Sequence, residues 1–505
     1  MLTRLARPAL AACLIFATAH AAAEADWFAG ERPTPLAIEA LALLQAAPSH
    51  GLVATDYASE RLLAALRSPA PDPAQRERLS AQLDAAFERY LKDLHGGRLP
   101  PALRPADHRP TPFDAAAALR EARARGRLQD AIDAAVPPLP QYQELRTVLA
   151  RLQALEPHPA WATALPPVPG RKLEPGARWA GLPRLRERLL AWGDLQAPLP
   201  QDAVYDSATQ DGVRRFQERH GLAPDGVIGR ATLAALEVRP AARARQVALS
   251  IERLRWTPLL ASERRIVINV PEFVLRAYEV RRGQIVLRLS MKVIVGRAMR
   301  TATPLFAEDM RFIEFSPYWN VPPSIARSET LPKLRADPAY LEREGFEFVS
   351  AQGVSTEVSE ANLAAVARGE ARIRQRPGPH NALGDIKFVF PNQDNIYLHH
   401  TPSVRLFERE RRDFSHGCIR VEQPVQLAAF VLEHQPGWDE DRIVTAMTAG
   451  KSSTLRLAQA LPVLITYATA IVKDGRPHFF EDIYGHDARL AAALAAPRPP
   501  LVEAR

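Results

Sequence analysis

Ser415-His416-Gly417-Cys418-Ile419-Arg420 decides how this 505-residue chain is read, together with Ile396-Tyr397-Leu398-His399-His400-Thr401-Pro402 just upstream. Cys418 is one of two cysteines. The other, Cys13, lies in a stretch built like a secretory leader: Arg4 and Arg7, an apolar run from Ala9 to Ala19, then small residues at Ala19-His20-Ala21 and Ala21-Ala22-Ala23. Most of the apolar run follows Cys13, so it reads as an ordinary leader over 1–23 rather than a lipid anchor. The exported chain would then hold a single thiol, in a compartment where thiols tend to be oxidised and where this one has no internal partner.

A thiol reacts as its thiolate, and a free one with pKa ~8.5 is only a few per cent ionised near neutrality. It needs a base. His399 lies nineteen residues before Cys418 and follows a strand-like run, and His416 sits two before it. An imidazole there is expected to take the proton and stabilise an ion pair. Gly417 lets the backbone come close to a substrate. An inert buried cysteine is the ordinary alternative for a Cys/His pair. The Ser-His-Gly flank and the second histidine favour chemistry.

Working outward, the apolar period becomes alternating after Arg264. Ile266 to Val270, Phe273 to Tyr278, Ile285 to Ser290, Lys292 to Gly296, Thr303 to Phe306 and Met310 to Pro317 read as strands, with Gly283 at a turn. Tyr318-Trp319-Asn320-Val321 then opens onto a helical, polar stretch from Ala326 to about Arg376, expected to be a lid inserted over the β domain. Strand returns at Asn381 to Phe388 and leads to His399. After Cys418, Gln423 to His434 reads as a helix, Leu461 to Tyr467 as a strand and Asp487 to Ala495 as a last helix that docks on the N-terminal helices.

Upstream, Asp26 to about Ala180 is helical, with apolar residues three and four apart and Pro-rich breaks. Gly181 to Val238 is a compact unit with a cap at Asp206 and glycine turns at His220-Gly221-Leu222 and Asp225-Gly226. Ala241 to Trp256 reads as one more amphipathic helix. The net charge is +8, but Arg is interleaved with Glu and Asp and no basic block alternates with aromatics, which argues against nucleic acid and suits a polyanionic wall or membrane surface. After the leader no segment has enough uncharged apolar residues to span a bilayer.

Ser-His-Gly-Cys-Ile-Arg with an upstream Tyr-Leu-His-x-Thr-Pro resembles the signature of L,D-transpeptidases with a YkuD-type catalytic domain. His50-Gly51-Leu52, Asp56-Tyr57, Tyr142 and the tail around Phe479 to Gly485 resemble the larger, YcbB-like type. Tyr205-Asp206, Val213, Phe216-Gln217, His220-Gly221-Leu222, Asp225-Gly226, Ile228-Gly229 and Thr232 resemble a small three-helix peptidoglycan-binding module. The fold class implied is multidomain α+β. It comprises a signal peptide (1–23), an α-helical scaffold (24–180), the peptidoglycan-binding module (181–238), a linking helix (239–263), a predominantly β catalytic domain (264–449, lid about 326–376) and a C-terminal segment packing on the scaffold (450–505).

The resemblance also implies roles. Cys418 is the nucleophile, His399 the proton donor and acceptor, His416 a supporting group, and the backbone N–H groups at Gly417 and Cys418 the oxyanion donors. Arg420, Ser415, Tyr397 and Trp319 are expected at the substrate. His400 departs from the Asp or Gly common after the base. The implied reaction joins peptidoglycan stem peptides in the periplasm, from a tetrapeptide donor to a diaminopimelate amine. It uses no cofactor or metal, the histidines lacking carboxylate partners at ligand spacing. Glycan is a further partner, and carbapenems are expected to acylate Cys418. Hydrolysis of the same thioester by an L,D-carboxypeptidase or amidase, attachment of a protein to the wall, and a non-catalytic wall-binding scaffold are the alternatives.

Overall fold

Alternation of aliphatic and polar residues builds the sheet that carries Cys418. A computed structural model describes residues 26–68, 71–105, 110–259, 262–282, 284–298 and 301–501. The leader with Cys13, and Gly283, lie outside the described residues. The chain divides into two compact units, Leu259–Ala468 and the segments Met1–Pro258 with Thr469–Arg505.

The first of these contains thirteen strands: β1 Arg264–Asn269, β2 Val274–Arg281, β3 Gln284–Gly296, β4 Phe306–Phe315, β5 Trp319–Asn320, β6 Phe346–Ser350, β7 Gly353–Ser355, β8 Ala371–Gln375, β9 Ile386–Val389, β10 Leu398–His399, β11 Asp413–Ser415, β12 Ile419–Val421 and β13 Ser453–Thr466. Nine of them form one sheet in the order β11-β3-β12-β10-β9-β4-β13-β1-β2, and β2 also pairs with β3, so that the sheet closes on itself. Closure removes exposed edges. Val293, Ile313, Ile386, Phe388, Leu398, Ile419, Val463 and Ile465 supply the buried interior. Strand β13 lies in this sheet, pairing with both β4 and β1. The chain from 450 to 468 therefore belongs with the β domain, and only the chain beyond it joins the other unit.

The insertion between β4 and β9 is not the purely helical segment expected from its polarity. Strands β5-β8-β6-β7 form a second sheet. Helices Leu331–Ala336 and Glu360–Arg368 pack on it through Leu331, Leu334, Leu363 and Val366, against Val321, Phe346, Phe348 and Ile373. It therefore has a hydrophobic core of its own. The strands Phe-Glu-Phe-Val-Ser and Ala-Arg-Ile-Arg-Gln carry their alternation on only two or three apolar residues each, too few to stand out from the surrounding charge.

In the other unit, helices Pro35–Gln45, Pro73–Gly96, Pro140–Leu155 and Pro240–Trp256 enclose a buried polar cluster. His50 Nδ1 lies 2.9 Å from the Tyr142 hydroxyl, Arg255 donates to Glu252 at 2.9 Å, and Tyr57 donates to Asp93 at 2.8 Å. Asp72 and Gln75 close a capping box on the 24-residue helix. Helices Leu182–Trp192, Ser207–Arg219 and Arg230–Glu237 form the small module. There the Gln217 amide reaches Asp225, Val227 and Thr232 and accepts from the Gly226 N–H at 2.8 Å, a fold-determining role. His220 is stacked between Phe216 and Phe479, the latter from the hairpin of β14 Ala470–Lys473 and β15 Arg476–Phe479. The last helix, His486–Leu494, packs Leu490 against Leu99, Leu249 and Trp256.

Candidate active site

Two rows of residues, one step apart along the strands, set the site. Phe388 pairs with Ile313 and Leu398, and Leu398 with Ile419; this row is buried in the barrel. The next row runs Thr454, Glu314, Lys387, His399, Arg420, Ile294, each the register partner of the next. Because side chains alternate along a strand, this row projects to the opposite face from the interior row. Strands β10 and β12 are parallel, and Cys418 immediately precedes β12. Tyr397 precedes β10 in the same way, and its carbonyl accepts from the Ile419 N–H at 3.0 Å.

The nucleophile turn is held from behind. Ser415 is 2% exposed; its hydroxyl donates to the Cys418 carbonyl and accepts from the Gly417 N–H at 3.2 Å. The Thr303 hydroxyl donates to the Gly417 carbonyl at 2.8 Å, and the Thr301 hydroxyl to the Ser415 carbonyl at 3.1 Å. Gly417 has φ +116°, in the region that favours glycine, and a Cβ there would stand 3.2 Å from the Ile396 side chain. Ser415 is thus a turn-forming residue rather than one facing substrate. The Gly417 N–H is engaged by Ser415, whereas the Cys418 N–H has no acceptor among the described residues, so Cys418 rather than Gly417 presents a free donor.

Burial pushes the Cys418 thiol above its ordinary range, while the backbone N–H and phenol of Tyr397, then Lys387 and Arg420, pull it back. The sulfur lies 3.7 Å from the Asn395 carbonyl oxygen. His399 is buried, and burial with the nearby Arg420 lowers its imidazole from 6.5 to about 3. Its Nδ1 lies 2.5 Å from the His400 carbonyl. Thiol and imidazole are therefore both neutral at rest, in place of the ion pair expected from the sequence. Arg420 forms no hydrogen bond or ion pair among the described residues, its Nε is buried without an acceptor, and burial pushes its guanidinium down.

The insertion reaches the site at two points. His416 Nε2 lies 2.8 Å from Glu329 Oε1, on the turn of helix Ala326–Thr330. Burial and Cys418 push the Tyr397 phenol well above its ordinary range, and the Trp319 indole on β5 pulls it back. The Lys387 ammonium lies 4.5 Å from the Tyr397 ring centroid and pairs with Glu314 at 3.1 Å.

The structure thus gathers Cys418, His399, Arg420, Tyr397 and Trp319, and sets His416 against the insertion. Lys387 and Glu314 were not foreseen. Each is a lone charge between apolar residues of a strand, Ile386-Lys387-Phe388 and Ile313-Glu314-Phe315, and that was the available signal. His400 contributes its carbonyl, and its ring lies 3.3 Å from Asp385. Two histidines therefore do have carboxylate partners, Glu329 and Asp385, distant in sequence. No cluster of three or more His, Cys, Asp or Glu suited to a metal ion occurs among the described residues.

Residues 263–445 match the family described as the L,D-transpeptidase catalytic domain, YkuD. Residues 20–149 match a family described as a scaffold domain, and residues 181–236 one described as "Putative peptidoglycan binding domain". A Haemophilus influenzae protein named "Putative L,D-transpeptidase" is 33% identical over 249 residues, 49% of this chain and 49% of that protein. The chain thus spans about half the length of the curated relative it matches. Among solved structures, an L,D-transpeptidase from Xylanimonas cellulosilytica is 18% identical, covering 60% of this chain and 100% of its own, with a TM-score of 0.19. One from Stackebrandtia nassauensis is 13% identical, covering 59% and 97%, with a TM-score of 0.22.

Proposed function

We propose, from the match of residues 263–445 to the YkuD family of L,D-transpeptidase catalytic domains, that the protein joins peptidoglycan stem peptides by cysteine acyl transfer. The observation that carries the reading is the register pairing of His399 with Arg420 on parallel strands that Tyr397 and Cys418 immediately precede: a neutral imidazole, and a guanidinium without a partner among the described residues, stand one step along the sheet from the one free cysteine among them.

Because thiol and imidazole are both neutral at rest, proton transfer accompanies attack. His399 takes the S–H proton through Nε2 as Cys418 forms an S–C bond to the carbonyl at the L-centre of diaminopimelate in a tetrapeptide donor. The tetrahedral oxyanion is met by the Cys418 N–H; one such donor contributes about 3 kcal/mol. The C–N bond to D-alanine then breaks, and the leaving amine receives the proton from His399. In the second half, the side-chain amine of another stem attacks the thioester carbon. Its proton passes to His399, the C–S bond breaks and the thiol is restored. Arg420 receives a donor carboxylate, for which its planar fork is suited. The insertion, meeting the site through Trp319 and Glu329, limits access of competing water. The small module engages the glycan or spaces the domains, and the protein works in the periplasm. No helix among the described residues is long and apolar enough to cross a membrane.

Incubation of the purified protein with a stem tetrapeptide tests the reading. Released D-alanine with cross-linked dimer is the expected result, lost in Cys418→Ala. Tripeptide alone would assign hydrolysis, and no D-alanine release would refute the donor. Intact mass after exposure to a carbapenem is expected to show one acyl adduct, absent in Cys418→Ala.

A further inference from the structure

The connection from β9 to β10, residues 390–397, passes directly over the sulfur, and one side chain inside it holds its shape. Asn392 Nδ2 donates to the carbonyls of Phe390 and Ile396, both at 2.7 Å, and its Oδ1 accepts from the Ile396 N–H at 3.0 Å. Asn392 therefore grips both backbone polar groups of one residue. The peptide bond is planar and trans, so the carbonyl of each unit points opposite to its own N–H. Turning the Ile396 N–H toward Asn392 turns the Asn395 carbonyl, in the same plane, away from it. That carbonyl lies 3.7 Å from the Cys418 sulfur. Turning the Ile396 carbonyl toward Asn392 likewise turns the Tyr397 N–H away from it, on the side of the sulfur, whose thiol this N–H pulls down against burial. The conformation is not one the chain adopts freely: Asn395 has φ +54°, unusual for a residue other than glycine.

We propose that Asn392 is a positioning residue that aims two peptide units at the Cys418 sulfur. The Asn395 carbonyl receives the S–H of the resting thiol. The Tyr397 N–H steadies the thiolate as the proton leaves. The Asn392 side chain hydrogen-bonds only the loop backbone, at Phe390 and Ile396, among the described residues, and so acts through those peptide units. The inference rests on Cys418 being the nucleophile of the proposed reaction.

The test is the pH dependence of Cys418 alkylation by iodoacetamide, which needs no stem peptide, measured with the melting temperature of each variant. Asn392→Ala frees both peptide units. Its alkylation midpoint is expected to move up by about one pH unit, because the charge-assisted contact of the N–H to the thiolate outweighs the weak contact of the S–H to the carbonyl, with alkylation about tenfold slower at neutral pH, while Gln393→Ala on the same loop leaves the midpoint unchanged. If Asn392→Ala does not fold, Asn392→Ser, which keeps one hydrogen-bonding group, takes its place and is expected to move the midpoint in the same direction. A folded variant with the wild-type midpoint, or a lower one, overturns the proposal. A wild-type protein whose cysteine alkylates normally but forms no thioester with stem peptide would instead overturn the proposed reaction and leave the positioning role standing.

Discussion

His399 hydrogen-bonds through Nδ1 to the backbone carbonyl of its own neighbour, His400. A carbonyl only accepts, so the neutral ring carries its proton on Nδ1 and leaves the Nε2 lone pair for a thiol. The residue that departs from the family pattern in its side chain thus acts through its backbone. Since the imidazole titrates at about 3, it remains a competent base well below its ordinary range. D-Alanine release under single-turnover conditions is expected to change less than about twofold between pH 7 and 5 on account of this group; an acid limb centred near 6.5 would contradict the assignment. His399→Gln is expected to lower the rate by about 100-fold or more.

Arg420 pairs in register with His399, and no acid among the described residues neutralises it. Half-burying such a charge, with its Nε fully buried and without an acceptor, destabilises the fold, and the charge is expected to persist because a bound carboxylate completes it. Arg420→Met should raise the melting temperature, by an amount equivalent to about 1 kcal/mol or more, and lower kcat/KM for a tetrapeptide about 100-fold. Arg420→Lys keeps the charge without the fork and should recover little of the rate. A melting temperature that falls in Arg420→Met would mean that the guanidinium is structural.

Glu329 and His416 join the insertion to the nucleophile turn across a half-exposed contact. Pairs of that kind contribute about 0.2–1 kcal/mol. Glu329→Gln should therefore speed alkylation of Cys418 by a bulky maleimide two- to fivefold, and leave alkylation by iodoacetamide nearly unchanged. Equal effects on both reagents would show that the contact does not govern access.

Burial in the helical unit drives His50 to about 3 from an unfolded value of 6.5. Between those values the unfolded chain binds the extra proton, so stability is full above pH 6.5 and falls as the pH drops toward 3. At pH 5 one such histidine costs about 2 kcal/mol. Calorimetry of His50→Gln from pH 7 to 4.5 should show a shallower loss of melting temperature than wild type. Parallel curves would mean that His50 is hydrated.

Much of the site could be read from the chain because its chemistry is concentrated: Cys418 and His399 fall in two short motifs, and the longer strands of the sheet that holds them alternate over several residues. What could not be read depends on register. That Lys387 lies between Glu314 and His399 is fixed by three strands distant in sequence. That Ser415 turns inward, leaving the Cys418 N–H as the free donor, follows from a four-residue turn whose hydroxyl could have faced either way. The strands of the insertion were hidden by charge; Leu461 to Tyr467 was legible as a strand, but the first half of β13 and its place in the catalytic sheet were not. Its middle residues oppose no partner between Arg456 and Leu461, which breaks the alternation there.

The β domain leaves and rejoins the helical unit in mid-chain. Hairpin β14–β15, helix His486–Leu494 and Arg498, which binds Asp93, come from beyond it and complete packing begun some four hundred residues earlier. A nascent chain therefore emerges from the ribosome with its opening helices still lacking their closing piece. Truncation a few dozen residues from the end would spare every group that performs chemistry and still leave the first-made part of the molecule unfinished. Cleavage at one crossing alone would leave the β domain tethered by the other.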